Sequence, residues 1–151
     1  MDTDRLLQLD EQICFLLYRT TNQVIRAYRP LLEPLNLTYP QYLTMLVLWE
    51  DLAPELTVSA LGARLDLDSG TLTPLLKRLE NIGYITRTRS REDERRVLVG
   101  LTAAGRELKE KARGVPEALL CSLGGDLRGV LALRENLKNI LETMYSKEQT
   151  S

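Results

Sequence analysis

Cys14 lies in the leucine-rich segment QICFLLY, residues 12–18, and is one of only two cysteines in 151 residues. A thiolate is a nucleophile that a peroxide can oxidise to a sulfenic acid, so this side chain permits redox chemistry. The alternative is a purely structural role, in which Cys14 packs as a small apolar side chain of a helix. Asp10 and Glu11 lie four and three residues earlier and disfavour a thiolate, so activation requires other groups.

Tyrosines follow Cys14 along the same predicted helix. Residues 14, 18, 21, 25 and 28 share one face, which places Tyr18 and Tyr28 on the side of Cys14. Fourteen residues separate Cys14 from Tyr28, or about 21 Å of helix, so the two side chains cannot touch within one straight helix. A second copy lying antiparallel or crossing nearby could bring them together. The spacing is therefore a reason to expect a homodimer.

Composition narrows the class of protein. The chain has no histidine, which excludes the usual zinc sites and histidine-based triads, and we expect no metal or cofactor. Two widely spaced cysteines are not a disulfide framework. The acidic N-terminus does not read as a signal peptide, and no apolar run is long enough to span a bilayer. We expect a cytoplasmic protein without a membrane partner.

Charge is distributed unevenly along the chain. The net charge is −1, but residues 1–56 hold four basic and eight acidic side chains, a balance of −4. Residues 77–96 hold seven basic and four acidic side chains, a balance of +3. A local basic region of this kind can bind nucleic-acid phosphates although the net charge of the chain is negative.

The elements needed to position these residues are mostly helices. The first helix is predicted over residues 4–29 and is ended by Pro30. The second is predicted from Thr38, with Gln41 completing a capping box, to before Pro54, the third from Thr57, and the fourth from Asp68 or Ser69 to Gly83, with a late start or irregularity at Pro74. Three more helices are predicted from Thr102, over 117–123 and over 127–144. Residues 84–89 and 96–101 alternate in polarity and predict a hairpin. The sequence thus predicts a mainly α protein with a small β-hairpin wing.

Helix, turn, helix and hairpin in this order form a winged helix-turn-helix, whose second helix can enter the major groove. The start of that helix offers three hydroxyls, and the rest of the lobe offers cations. The candidate DNA-binding residues are Ser69, Thr71, Thr73, Lys77, Arg78, Arg87, Arg89, Asp93, Arg95 and Arg96. Asp93 can orient the Arg95 guanidinium for the minor groove through a carboxylate pair. The alternatives are helix capping by the hydroxyls and a merely solvated turn.

Residues 65–112 resemble the DNA-binding lobe of MarR-type bacterial repressors, with Asp93–Glu94–Arg95 matching their wing motif. The segment LDSGTLTPLLKRLE is similar to the corresponding sequence of one branch of this family, the organic hydroperoxide resistance regulators. The segment around the cysteine, QICFLLY, is similar to the same branch. The resemblance covers nearly the whole chain. It implies a single domain over 1–151, with a DNA-binding lobe at 38–101 and dimerisation helices at 4–30 and 103–147.

The resemblance also implies a mechanism. Cys14 would be the peroxide-sensing cysteine, Tyr28 and Tyr39 of the partner chain would donate hydrogen bonds to its sulfur, and Tyr18 would line the pocket. Cys121 would be the resolving cysteine, which forms an intersubunit disulfide with Cys14. The reduced homodimer would repress at a pseudo-palindromic double-stranded operator and release it when an organic hydroperoxide oxidises Cys14.

Three other functions remain open at this point. A repressor of this type could bind an aromatic ligand non-covalently, with Cys14 incidental. A thiol peroxidase could use Cys14 and Cys121, although no C-x-x-C and no thioredoxin-like alternation of strands and helices is present. A winged helix could also serve protein contacts alone, which the arginine-rich wing disfavours.

Overall fold

A computed structural model describes residues 7–50, 55–124 and 126–148. The chain divides into two compact units, Met1–Val115 and Pro116–Ser151. The predicted helical residues 4–6, the predicted end of the second helix at 51–53, and Gly125 lie outside the described residues. In the ranges described, no helix combines the length and the apolar character that crossing a membrane requires.

The described part of the chain is mainly α-helical with a small antiparallel sheet, which confirms the predicted fold class. The elements, in chain order, are α1 (Ile13–Leu32), α2 (Tyr39–Glu50), β1 (Glu55–Thr57), α3 (Val58–Leu65), α4 (Ser69–Ile82), β2 (Ile85–Arg89), β3 (Val97–Leu101), α5 (Ala103–Ala112), α6 (Val115–Ser122) and α7 (Leu127–Glu148). Short 3₁₀ turns, Leu9–Glu11 and Glu33–Leu35, flank α1.

Helix α1 differs from the prediction at both ends. It begins at Ile13 because Gln12 is extended, with φ −82° and ψ 109°, so Cys14 lies in its first turn. Leu7 and Leu9 are exposed, and Leu9–Glu11 form a 3₁₀ turn in place of the predicted turn of α-helix. Pro30 does not end α1, because it lies in the last turn and removes one hydrogen bond there while the helix continues to Leu32.

Helix α2 forms the centre of the core. The capping box is confirmed, since the Thr38 N–H donates to Gln41 Oε1 at 2.8 Å. Its buried side chains lie all round the helix and include Tyr42, Met45 and Trp49. The Trp49 indole N–H donates to the Gly105 carbonyl of α5 at 2.9 Å, which ties the two helices together.

Helices α3 and α4 form the predicted helix-turn-helix. Thr57 caps α3 by accepting from the Ala60 N–H, and Gly83 ends α4 with φ +92°. The late start predicted at Pro74 is wrong, since Asp68 caps α4 and the helix begins at Ser69. Pro74 lies inside the helix, where it removes the donor to the Gly70 carbonyl, and the helix continues to Ile82. Leu72, Leu76 and Leu79 are the buried face of α4, and Leu75 is partly buried against the same core.

The wing contains one strand more than the predicted hairpin. Strands β2 and β3 pair antiparallel, and β1 pairs antiparallel with the other edge of β3, giving the order β1-β3-β2. A three-residue strand has too little length to show an alternating pattern, and its pairing partner lies more than forty residues away, so sequence reasoning missed it.

The second unit carries a long helix with an exposed apolar stripe. The predicted final helix is confirmed as α7, and the predicted 117–123 piece corresponds to α6. Side chains that are 41–57% exposed follow α7: Leu127, Leu131, Leu133, Ile140, Leu141, Met144 and Tyr145. Apolar side chains repeated in this way along one helix are typical of a surface that pairs with another chain.

Candidate functional site

The start of α4 presents the hydroxyls predicted to face DNA. Asp68 Oδ1 accepts from the Thr71 N–H at 2.8 Å, and Oδ2 accepts from the Thr71 hydroxyl at 3.1 Å. The hydrogen bond from the Thr71 backbone is the main reason that the pKa of Asp68 lies below its usual range. The Thr73 hydroxyl donates to the Ser69 carbonyl at 2.6 Å. Ser69, Thr71 and Thr73 are all exposed, and the two threonine oxygens remain available as acceptors.

The wing tip contains the predicted carboxylate–guanidinium pair. Asp93 Oδ1 accepts from the Arg95 N–H and from Arg95 Nε, both at 3.1 Å, and Arg96 Nε lies 3.8 Å from Oδ2. The pKa of Asp93 is lowered, chiefly by the Arg95 side-chain hydrogen bond. The Arg95 side chain is 91% exposed, so it is held at its base and free at its guanidinium edge. This geometry suits insertion into a groove of negative potential.

A basic cleft separates the wing from the helix pair. Its volume is about 510 Å³, and its lining comes from the start of α3, from α4 and from the wing: Thr57, Val58, Ser59, Ser69, Thr73, Leu76, Arg87, Arg95, Arg96 and Val97. Three arginines and several hydroxyls around one opening can receive a phosphate backbone.

The remaining predicted cations have different surroundings. Lys77 and Arg89 are exposed on α4 and β2. Arg87 is half-buried and bonds to Glu80 of α4, with Nη2 at 2.6 Å and Nε at 3.0 Å from Oε2. Arg78 lies on the lining of a second cavity, together with tyrosines from α1 and α2. The predicted DNA-facing cations are therefore not equivalent.

Three tyrosines form a cluster where α1 ends and α2 begins. The ring centroids of Tyr28 and Tyr39 lie 4.6 Å apart, and those of Tyr28 and Tyr42 lie 5.7 Å apart. Desolvation, with added repulsion from the Tyr39 and Tyr42 phenolates, raises the pKa of Tyr28 to about 12. Burial also raises the pKa of Tyr39. The phenols of this cluster stay protonated at neutral pH and can act as hydrogen-bond donors.

The second cavity has a volume of about 450 Å³ and opens beside Tyr28 and Tyr39. Its lining is Ile25, Arg26, Tyr28, Arg29, Leu32, Glu33, Asn36, Leu37, Thr38, Tyr39, Pro40, Gln41 and Arg78. Aromatic and apolar walls combined with a few cations are typical of a small-molecule site.

Cys14 is not among the residues that line this cavity. Cys14 is exposed in the first turn of α1, which argues against a packed core position, and its thiol is free. Fourteen residues of α1, about 21 Å along the axis, separate it from Tyr28. Tyr18 lies one turn after Cys14 and is 66% exposed. Cys121 is a free, exposed thiol in α6.

Sequence reasoning missed several residues of these sites. Glu80, the partner of Arg87, gave no signal because the pair joins a helix to a strand across a turn. Tyr42 follows Tyr39 by three residues on α2, and this helical spacing could have marked it as part of the cluster. Arg26 and Arg29 lie one turn apart on α1 and could have been read as a cationic face.

The chain is similar to proteins of known type over almost its whole length. Residues 26–112 match the family of SarA/Rot transcriptional regulators. The chain is 49% identical over 144 residues to the organic hydroperoxide resistance transcriptional regulator of Bacillus subtilis strain 168, covering 93% of this chain and 95% of that protein.

Solved structures of AbfR from Staphylococcus epidermidis share the fold. Reduced AbfR bound to DNA superposes with a TM-score of 0.81 and 31% identity, covering 96% of this chain and 99% of AbfR. Disulfide-formed AbfR gives a TM-score of 0.61 and 33% identity, covering 92% and 96%.

These relatives are transcriptional regulators and not enzymes, which confirms the prediction of a non-enzymatic function and removes the thiol peroxidase alternative. The DNA complex of AbfR also favours DNA binding over a winged helix used for protein contacts alone. The chain is a DNA-binding transcriptional regulator and belongs to the SarA/Rot and MarR-type winged-helix family.

Proposed function

We propose that this regulator is a homodimeric repressor that senses organic hydroperoxides through Cys14. One observation carries the proposal: the exposed thiol of Cys14 and the protonated phenol of Tyr28, which packs against Tyr39 of α2, lie at opposite ends of α1, too far apart to meet within a chain. The B. subtilis relative is an organic hydroperoxide resistance regulator, and AbfR is known in a reduced DNA complex and in a disulfide form.

Pairing of two chains follows from the exposed apolar side chains. On and just before α1 these are Leu9, Ile13, Leu16 and Ile25, and α7 carries the longer stripe. The two terminal segments, residues 4–30 and 103–147, serve in dimerisation, and residues 38–101 serve as the DNA-binding lobe of a single-domain protein. Burial of apolar side chains against the partner, at about 25 cal/mol per Å², drives the association.

Tyr28 and Tyr39 of one subunit donate hydrogen bonds to the Cys14 sulfur of the other. Because both phenols remain protonated, they favour a thiolate by donating hydrogen bonds and add no charge of their own. These donors offset the unfavourable charge of Asp10 and Glu11. Tyr18, one turn from Cys14, lines the pocket that admits the organic part of the peroxide.

The sensing reaction consumes one hydroperoxide for two thiols. The Cys14 thiolate attacks the terminal oxygen, an S–O bond forms, the O–O bond breaks, and the alcohol leaves after taking up a proton. The Cys121 thiol of the other subunit then attacks the sulfenic sulfur, an S–S bond forms, and water leaves. Two thiols are oxidised to an intersubunit disulfide, and the peroxide is reduced.

DNA recognition is divided between α4 and the wing. Ser69, Thr71, Thr73, Lys77 and Arg78 approach the major groove and its phosphates, and Asp93 presents Arg95 to the minor groove. Arg89 and Arg96 contact phosphates. The dimer reads a pseudo-palindromic operator with half-sites about 34 Å apart. A disulfide needs Cα atoms within about 7 Å, and forming it moves the lobes away from that spacing.

The experiment is an operator titration in reduced buffer, repeated after one equivalent of cumene hydroperoxide per chain. A duplex that the reduced protein selects from a random-sequence pool serves as the operator. We expect the wild type to lose at least about tenfold in affinity, since moving one lobe sacrifices part of the 4–10 kcal/mol of specific binding. Cys14→Ser should bind equally before and after treatment. Wild-type affinity that the peroxide leaves unchanged would exclude the sensor function.

The cavity supports a second candidate, a repressor controlled by a non-covalent aromatic ligand. Its tyrosine walls and the exposed Arg26, Arg29 and Arg78 fit an aromatic carboxylate. A titration of Cys14→Ser with benzoate and salicylate separates the two functions. Release of the operator in that variant would favour ligand control, and unchanged binding would favour the thiol.

A further inference from the structure

Arg87 lies between α4, the recognition helix, and the wing, and its side chain pairs with a carboxylate of that helix. Its Nη2 and Nε donate to Glu80 Oε2 at 2.6 and 3.0 Å, and its backbone N–H donates to Oε1 at 3.2 Å. The two side chains are 24% and 35% exposed. The Arg87 side chain is the main cause that lowers the pKa of Glu80, so the carboxylate is charged at neutral pH.

The pair joins two elements that must meet DNA together. Glu80 lies in the last turns of α4, and β2 is an edge strand of the sheet. The outward N–H of Arg87 would otherwise lack a partner in the sheet, and Glu80 accepts it. Arg87 stands opposite Val99 of β3, which is fully buried, so the contact fixes the base of the wing against the helix.

We propose that Arg87 is a positioning residue, which acts through Glu80 to hold the wing at the angle from which Arg95 reaches DNA, and is not itself a phosphate ligand. A guanidinium with two of its nitrogens on one carboxylate is both neutralised and immobilised. Arg95, whose guanidinium is exposed beyond its bond to Asp93, then depends on Arg87 for its position. The inference concerns the reduced protein and is independent of the chemistry of Cys14.

Glu80→Gln should change the affinity for DNA in opposite directions, depending on whether Arg87 binds phosphate or positions the wing. If Arg87 binds phosphate, the substitution removes a negative charge near DNA and frees a cation, so affinity for the selected duplex should stay equal or rise. If Arg87 positions the wing, the loss of the charged pair should weaken binding about fivefold to tenfold. Equal or tighter binding by Glu80→Gln overturns the proposal.

A double-mutant cycle with Arg95→Ala provides a readout that general destabilisation does not move. Arg87→Met should cost about fivefold to tenfold in wild type and less than about twofold in the Arg95→Ala background, because the wing tip no longer has a contact to lose. Arg89→Met is the matched control: it lies two residues along the same strand, is exposed, and forms no ion pair within the described part of the chain. Its cost should persist in the Arg95→Ala background.

Costs of Arg87→Met and Arg95→Ala that multiply independently would overturn the positioning role and restore Arg87 as a phosphate ligand. Thermal unfolding of each variant confirms that binding is measured on folded protein. The Glu80 and Arg87 variants test the same contact from both sides, so the failure of one to fold leaves the other decisive.

Discussion

The phenol of Tyr28 is the single group on which the proposed sensor pocket depends most. It stacks on Tyr39 and Tyr42, and its burial keeps it protonated. A neutral O–H held by two neighbouring rings has little freedom to turn away from a sulfur that the partner subunit presents. Reactivity of Cys14 in this account therefore depends on groups of another chain.

Tyr28→Phe should slow oxidation of Cys14 by cumene hydroperoxide about tenfold, because it removes one hydrogen bond to a charged sulfur. The rate is followed by loss of free thiol under stopped flow. Tyr42→Phe is the matched control, since Tyr42 lies in the same cluster but does not line the cavity, and its rate should equal that of wild type. Equal rates for Tyr28→Phe and wild type would remove the phenol from the mechanism.

Alkaline pH should expose the raised pKa of Tyr28. Between the ordinary pKa of 10.0 and about 12 the folded state keeps a proton that the unfolded state has lost. The folded state binds more protons there, so the free energy of unfolding should fall as pH rises through this window. Urea unfolding at pH 9, 10 and 11 should show a shallower fall for Tyr28→Phe than for wild type. Parallel curves would contradict the shift.

At the scale of elements, the lobe depends on close packing between α5 and the chain that leaves α4. Gly105 donates its N–H to the Thr102 hydroxyl at 3.0 Å and accepts from Trp49. The Thr102 hydroxyl donates to the Gly83 carbonyl at 2.6 Å. These bonds connect the cap of the recognition helix to the start of α5 and set the base from which the wing projects.

Gly105→Ala should lower the free energy of unfolding by about 2–3 kcal/mol, because a methyl group there overlaps the Tyr84 carbonyl oxygen and forces the backbone apart. Urea denaturation measures the change. Gly114→Ala is the control, since a methyl group at Gly114 meets no atom within 4 Å. A loss at Gly105 no larger than that at Gly114 would contradict the packing described.

Sequence reasoning succeeded where structure is local. The caps at Thr38, Thr57 and Thr102 and the glycine end of α4 each follow from residues within one turn, and all are found. The Asp93–Arg95 pair was also predictable, because it spans two residues. The features that sequence reasoning missed are non-local. Strand β1 exists because β3 offers an edge, and the Glu80–Arg87 pair exists because the wing folds back onto α4.

The prediction of where α1 starts was also wrong. Its apolar periodicity runs upstream of Ile13, but Gln12 has an extended backbone and Leu9–Glu11 form a 3₁₀ turn. The features of the proposed Cys14 pocket were likewise predictable only in part. Sequence spacing predicted that Cys14 and Tyr28 cannot meet in one chain, whereas the stacking of Tyr28 with Tyr42 and the cations around the cavity required the fold.

At the scale of the whole molecule, the proposed sensor works only as a pair of subunits. The exposed stripe of α7 and the exposed apolar residues of α1 are surfaces that a second subunit can cover. Two subunits also supply the two recognition helices that a pseudo-palindromic operator needs. Sensing and DNA binding thus depend on the same association.

Leu141→Glu should raise the dissociation constant of the dimer at least about a hundredfold, because it places an unpaired carboxylate in an apolar interface. Analytical ultracentrifugation across a concentration series measures it. Asn136→Asp, on the same helix and exposed, adds the same charge and should leave the dimer intact. A Leu141→Glu protein that sediments as wild type would place the interface elsewhere.

Peroxide sensing by Cys14 is tested by the intact mass of protein treated with one equivalent of cumene hydroperoxide, followed by non-reducing peptide mapping. We expect a covalent dimer in which the peptide containing Cys14 is linked to the peptide containing Cys121, with the dimer absent from Cys14→Ser. A monomeric mass with Cys14 still a free thiol, in a sample that has released its operator, would contradict it.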